Sequence, residues 1–260
     1  MIKILKYSFY DLIRSKWFYV YLIFYLLLGF VLLFLNQDLS KAIITLLNVI
    51  VILVPLISTI FGVMYYYDSK EFTVLLMAQP IRRSIIFLGQ YFGVTLSLSL
   101  SLLLGLGIPF LFYGITQSSV NFSFFLLIFL GILLSMSFSA MSFYIGLCNE
   151  NKIKGFSYAI LLWLFFAVIY DGLFLISLLV FQSYPLDNFA LIATMCNPID
   201  LSRILLLLQL DISALMGYTG AVFQQFFGTS LGFVVSFFGL SLWVVTPILL
   251  IVRKAKKKDF

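Results

Sequence analysis

Asp171 is the residue whose placement asks most for a chemical explanation. It stands in an otherwise uncharged apolar run, fifteen residues beyond Phe156, or about 22 Å along a helix rising 1.5 Å per residue. A carboxylate near the centre of a bilayer costs about 2.5–3.5 kcal/mol, so it must be paired, protonated or facing water. Two roles fit: a pathway or gating carboxylate, or a structural acid hydrogen-bonded by a Tyr or Ser of a neighbouring helix. Sulfur offers a second possibility. Met195 and Cys196 adjoin, and Met216 follows. Cu(I) favours such soft ligands, but scattered sulfurs also serve as ordinary packing residues. Catalytic patterns are absent. The chain has no histidine, which removes the commonest acid/base and metal-binding side chain. It has no GxxxxGK[ST] or HExxH, and without histidine a GxSxG string cannot complete a Ser-His-Asp triad. No lysine falls within a long apolar run, which excludes an intramembrane Ser–Lys dyad. The chain reads as a non-enzyme.

The elements that must position these residues are set by composition. Hydrophobic residues make up 63% of the chain and charged residues 10%, against roughly 45–50% and about 25% in soluble domains. Lipid must solvate most of this surface. A span needs about 20 apolar residues, and six stretches qualify, at residues 17–35, 42–67, 88–113, 122–148, 156–181 and 231–252. The fold expected is an all-α membrane protein with one transmembrane domain over 1–260. Of the 16 basic residues, 14 fall in alternate connecting segments, with only Lys41 and Arg203 on the other side. The positive-inside rule then places both termini inside. Basic residues lying between apolar runs write topology, so the net charge of +6 does not imply a nucleic-acid partner. The first residues carry spread charges and no small-residue cleavage site, so no removable signal peptide is expected.

Four segments outside the spans carry their own patterns. Ile2, Leu5, Phe9, Leu12 and Ile13 share one face of a first helix, with Lys3, Lys6, Tyr10 and Arg14 on the rest. This predicts an amphipathic helix in the membrane interface; the bland reading is an extension of the first span. The segment from Asp68 to Gln90 is too charged to cross lipid and too apolar for a solvated loop. Pro80 is expected to end one short helix and open the next. A helix bearing Phe72, Leu75, Leu76 and Met77 needs a cover, either another protein surface or lipid headgroups. In the third segment Asn197 suits an N-cap, Pro198 the first helical position and Asp200 the positive helix end. That helix is too short to span comfortably, so it is expected to be re-entrant or to lie flat on the outer face. The tail RKAKKKDF reads as a polybasic anchor for anionic headgroups.

Small residues recur every fourth position at Gly89, Gly93, Ser97, Ser101 and Gly105, at Gly131, Ser135 and Ser139, and at Gly228, Gly232 and Ser236. In lipid such stripes mark close helix–helix contacts, either within one chain or between two copies.

The six spans, the interfacial first helix and the helical step between spans two and three resemble ABC-2-type transporter permeases. Within them the chain is similar to the membrane subunit of the copper-processing transporter used in nitrous oxide reductase maturation. The resemblance covers essentially the whole length. It is carried by Glu71 followed by LLMAQPIRRSIIFLGQYFG, by NPIDLSRILLLL, by GYTGAVFQQFFG, and by the acidic Asp171 of the fifth span. It implies a second copy of the chain and two cytoplasmic ABC ATPase subunits, which hold the ATP and Mg; this chain needs no cofactor. Glu71, Phe72, Leu75, Leu76, Gln79, Pro80, Arg82 and Arg83 are then the coupling-helix contacts to the ATPase. Asn197, Pro198, Asp200 and Arg203 are then outer-face contacts to a periplasmic β-helical partner. The implied location is the bacterial inner membrane, with lipids as further partners. Lack of histidine and sparse sulfur leave direct copper conduction in doubt, so mechanical relay or passage of a sulfur species stays open. An ABC-2 exporter of a lipid-linked or amphiphilic molecule, or a transducer with no transported substrate, also fits the same elements.

Overall fold

The computed structural model describes residues 2–36, 38–115, 118, 120–181, 187–210, 225–226 and 230–257. Among these the regular elements are all helical. They are α1 (Ile2–Arg14), α2 (Lys16–Leu35), α3 (Leu39–Asp68), α4 (Lys70–Met77), α5 (Arg83–Phe112), α6 (Asn121–Cys148), α7 (Lys152–Leu164), a π-helical turn (Phe165–Ile169), α8 (Tyr170–Val180), α9 (Asp187–Met195), α10 (Pro198–Gln209) and α11 (Ser230–Lys257). Six helices are long and apolar enough to cross a membrane, at Lys16–Leu35, Leu39–Asp68, Arg83–Phe112, Asn121–Cys148, Lys152–Val180 and Gly232–Lys257. The chain is a multi-pass helical membrane protein.

The helices overrun the expected apolar limits because backbone bonding continues where the side chains turn polar. α5 starts at Arg83 rather than near 88, and α11 runs on to Lys257 rather than stopping near 252. Long cationic side chains can lay their stems along the apolar surface and keep their heads in water. Pro80 plays a different part from the one expected. α4 is capped by Ala78 and α5 by Arg82, so the proline lies between the helices and opens neither. Two residues past a C-cap is where proline stops a helix by lacking an amide donor.

The small-residue stripes of α5 and α6 are filled by within-chain neighbours. A Cβ added at Gly89 would meet Ile4 at 2.9 Å, and one at Gly93 would meet Ser8 at 2.5 Å and the Phe9 amide nitrogen at 3.1 Å. At Gly105 it would meet Tyr25 at 2.6 Å. The stripe on α5 is therefore the seat of α1 and α2. The face of α1 turned to it is Ile4, Ser8 and Leu12, which shares only Leu12 with the apolar stripe read in the sequence. Ile2 is left 77% exposed. Backbone proximity selects small and β-branched residues here, whereas the larger side chains of the stripe point along the bundle surface. Gly131 of α6 likewise meets Leu102 and Ile50, and the Ser58 and Ser135 hydroxyls bond at 2.7 Å between α3 and α6. Gly228 lies outside the described residues.

Gly93→Ala is thus expected to push α1 off α5 and cost about 1–3 kcal/mol, read as a lowered melting temperature in detergent. Gly107 has open space around its Cα, so Gly107→Ala serves as the neutral control. Equal melting of the two variants would refute close packing at Gly93.

At one end of the bundle the tyrosine-rich core of Tyr65, Tyr66, Phe87, Tyr91 and Phe143 also takes in Leu12 of α1 and Ile251 and Ala255 of α11. The same end carries α4 and the α6–α7 turn. There Lys152 pairs with Asp68 at 2.8 Å, and the Tyr67 hydroxyl donates to the Asn149 carbonyl at 2.8 Å. Towards the opposite end lies a larger aliphatic core, with Phe110 stacked on Phe124 at 4.3 Å.

α6 is the central rod, with 72% of its most apolar window buried, whereas the fifth span buries only 6% of its own. Half-buried side chains of that span, such as Leu162, Trp163 and Phe166, still pack against the core.

Candidate functional site

Polar side chains add to the packing of the fifth span. The fifth span consists of α7, the π-helical turn and α8, and beside it stands the pair α9–α10, bent by 115°. Asn197 caps α10 as its sequence context predicts, its Oδ1 accepting from the Ile199 amide at 3.0 Å, with Pro198 in the first turn. Its other arm reaches across. Nδ2 donates to the carbonyl of Phe166 in the π-helical turn at 3.0 Å and to Asp200 Oδ2 at 2.7 Å. A π-helical turn inserts one residue into the α-helical register, which rotates the residues beyond it by about 100° around the helix axis. Asp171 comes directly after Tyr170, just past that turn. Its Oδ2 accepts from Arg203 Nη1 at 3.0 Å, and Arg203 Nη1 also lies 3.7 Å from Asp200 Oδ1. The neighbouring Tyr170 hydroxyl donates to the Ala193 carbonyl at 2.6 Å.

The result is one guanidinium between two carboxylates, in surroundings that leave the three side chains only 10–30% exposed. Asp200 Oδ1 and Arg203 Nε are buried without a hydrogen-bond partner among the described residues. The cluster can bind the fifth span to the bent hairpin. It also keeps one acceptor and one donor in reserve for a polar group or for a rearranged pairing.

The sequence suggests separate roles for Asp171 and Arg203; the fold joins them. Arg203 turns towards Asp171. Asn197, Pro198 and Asp200 are buried within the chain, and the polar groups of Asn197 and Asp200 are committed to capping and to the ion cluster. α10 packs among α3, α6 and α11. Met195 is half-buried against the aliphatic core and its carbonyl accepts from Trp243 Nε1 at 3.1 Å. Cys196 is exposed and unpaired. Among the described residues no group of three or more His, Cys, Asp or Glu could hold a metal. Met216 and the GYTGAVFQQFFG segment, apart from Gln225 and Phe226, lie outside the described residues. Sequence reasoning missed Tyr170, the Phe166 carbonyl and the π-helical turn. A tyrosine directly before the only acid of an apolar run was a usable signal, but a register shift leaves none.

Asn197→Ser separates capping from bridging, since a serine hydroxyl still caps but cannot span to Phe166. The loss expected is about 1–3 kcal/mol for the stranded acceptors, measured by thermal unfolding in detergent. A melting curve identical to that of the parent would show that the bridge contributes nothing.

The second candidate lies at the tyrosine-rich end. α4 is rooted by two contacts. Phe72 stacks on Tyr7 of α1 at 4.5 Å, and Gln90 Nε2 of α5 donates to the buried Thr73 hydroxyl at 2.8 Å. With that face held down, the opposite face is outward. Val74 is 48% and Leu75 69% exposed. Leu76 is half-buried, and Glu71, Gln79, Pro80, Arg82 and Arg83 are exposed around it. The structure thus brings the expected coupling residues other than Phe72, which faces Tyr7, onto one small step, an apolar centre with a charged border.

No family model matches the chain, and no curated protein matches it. What the geometry defines is a multi-pass helical membrane protein with a charged, apolar-centred step at one end. An ion cluster within the bundle clamps its fifth span to a bent hairpin.

Proposed function

We propose that this chain is the non-catalytic permease subunit of an ABC-2-type transporter. On this reading a separate cytoplasmic ATPase docks on α4, and its ATP-driven closure tilts the spans and loads the hairpin around Asp171 and Arg203. The observation that carries the reading is α4 itself. A rooted helix of eight residues that leaves Val74 and Leu75 uncovered inside a border of charge has the make-up of a protein-docking surface. The end bearing α4 also gathers Lys3, Lys6, Arg14, Lys16, Lys70, Arg82, Arg83, Lys152, Lys154, Arg253, Lys254, Lys256 and Lys257. By the positive-inside rule this is the cytoplasmic end, with both termini there, α1 in the interface and α9–α10 as an outer re-entrant hairpin. The partners are a second copy, two ABC ATPase subunits carrying ATP and Mg, and lipids of a bacterial inner membrane. The resemblance extends the proposal to copper-site assembly of nitrous oxide reductase through a periplasmic β-helical partner.

One observation favours a second reading, export of a lipid-linked or amphiphilic molecule. An apolar recess of about 530 Å³ opens between α1 and α5, lined by Ile2, Leu5, Phe9, Leu96, Leu100 and Leu103, and an acyl chain suits such a lining. Tagging the chain and identifying what co-purifies tests the shared claim: an ABC ATPase is expected in the complex, and its absence after gentle solubilisation would overturn it. Uptake into inverted vesicles with added ATP then separates the readings, since labelled copper or sulfur species support the first and a labelled amphiphile the second.

A further inference from the structure

A second cavity lies beside the root of α4, and neither the proposed docking nor the ion cluster uses it. It encloses about 300 Å³ between α1 and α3, with α2 and α4 closing its sides. Helical spacing explains its walls. Tyr7, Asp11 and Ser15 follow at intervals of four on α1 and its C-terminal edge, so they share one face. Phe61, Tyr65 and Asp68, four and three residues apart, likewise share a face of α3, and Trp17 and Phe72 enter from α2 and α4. The rings form two walls, Tyr7 stacked on Phe72 at 4.5 Å and Trp17 edge-on to Phe61 at 6.3 Å, with Tyr65 beside Asp11. Among the described residues no Lys or Arg lines the cavity, and no cation is paired with Asp11. Asp68, on the rim, already holds one ammonium, that of Lys152 at 2.8 Å.

We infer that this cleft binds an alkylammonium cation. Ring faces are negative in their quadrupole and attract cations within about 6 Å of the centroid. Here five aromatic side chains and two carboxylates line one small space. An anion would face Asp11, Asp68 and the ring faces together. A neutral apolar guest would cover the Asp11 carboxylate and leave its charge uncompensated. A bare metal ion would find only two carboxylates and would gain little from the aromatic walls. A cation clothed in methyl or methylene groups satisfies both linings at once. Such a group is carried by choline-type or ethanolamine-type lipid headgroups and by free amines in the cytosol. The cleft offers this lining whether or not the chain is a transporter subunit.

The test uses the full-length protein in detergent and the fluorescence of its tryptophans, of which Trp17 is one of three. Choline is expected to change the emission saturably, while 3,3-dimethylbutanol, its uncharged isostere, does not. Asp11→Asn keeps the shape and removes the charge, and should weaken choline at least tenfold; Tyr7→Leu, which removes one ring, should weaken it by about tenfold. Trp163→Phe, distant from the cleft, should leave the titration unchanged. Both cleft positions are exposed, so the melting temperature of each variant checks that folding is intact. Nanodiscs then distinguish the source. If the natural occupant is a headgroup, phosphatidylcholine discs suppress the choline signal and phosphatidylglycerol discs do not. If it is a free amine, choline binds equally in both. Failure to saturate, equal binding of the neutral isostere, or an unchanged Asp11→Asn variant would overturn the assignment.

Discussion

Replacing Arg203 with Met is expected to destabilise the fold by about 3–5 kcal/mol, since removing one partner of a buried ion pair leaves uncompensated charge. The reason is stoichiometric. Arg203 lies 3.0 Å from Asp171 and 3.7 Å from Asp200, so its loss leaves two carboxylates facing each other without a cation. Asp171→Asn should cost far less, because Arg203 and Asp200 then remain as a balanced pair. The triple variant Arg203→Met, Asp171→Asn, Asp200→Asn should recover most of the lost stability, as apolar or neutral replacements of whole buried ion networks do. Thermal unfolding in detergent across this series reads the coupling directly. If Arg203→Met were as mild as Asp171→Asn, the cluster would not be the clamp on the fifth span. That outcome would leave the fifth span held by its other contacts, such as the Asn197 bridge to the Phe166 carbonyl and the Tyr170 bond to the Ala193 carbonyl.

If an ATPase docks on α4 as proposed, Leu75→Asp combined with Leu76→Asp should abolish its recovery with the tagged chain, while the membrane protein itself stays folded. Leu75 is 69% exposed, so a carboxylate there meets water at no internal cost. The bundle is anchored through other residues of α4, Phe72 on Tyr7 and Thr73 on Gln90. In a docked complex the same two carboxylates would be buried unpaired, which costs several kcal/mol. That is a loss of more than about a hundredfold in affinity. Arg82→Ala, at the border of the step, should weaken docking far less and mainly at low salt, because rim charges are screened. Unchanged recovery of the ATPase with the double aspartate variant would remove α4 as its seat.

A good part of this protein is legible from residue order. Six apolar stretches and the near-absence of charge within them specify six rods. Lipid leaves backbone groups no partner but their own helix, so length and polarity suffice. The cap at Asn197 with Pro198 in the first turn is equally local, and so is the stop of α4, although Pro80 closes that helix without opening α5. The stripe Gly89, Gly93, Gly105 announces a close contact but not its partner. Small residues record that a backbone comes near and say nothing about which one.

What only the tertiary structure decided is where polar groups meet. Asp171 and Arg203 are 32 residues apart and carry nothing local that pairs them. The turn of Asp171 towards α10 comes from one extra residue in the helical register at Phe165–Ile169. Composition is blind to such a shift, because it changes direction without changing hydropathy. The cleft of Tyr7, Asp11, Phe61 and Trp17 is likewise assembled from separate helices whose mutual rotation is set by packing. Periodicity reports which residues share a face. Only the assembled bundle determines what that face looks at.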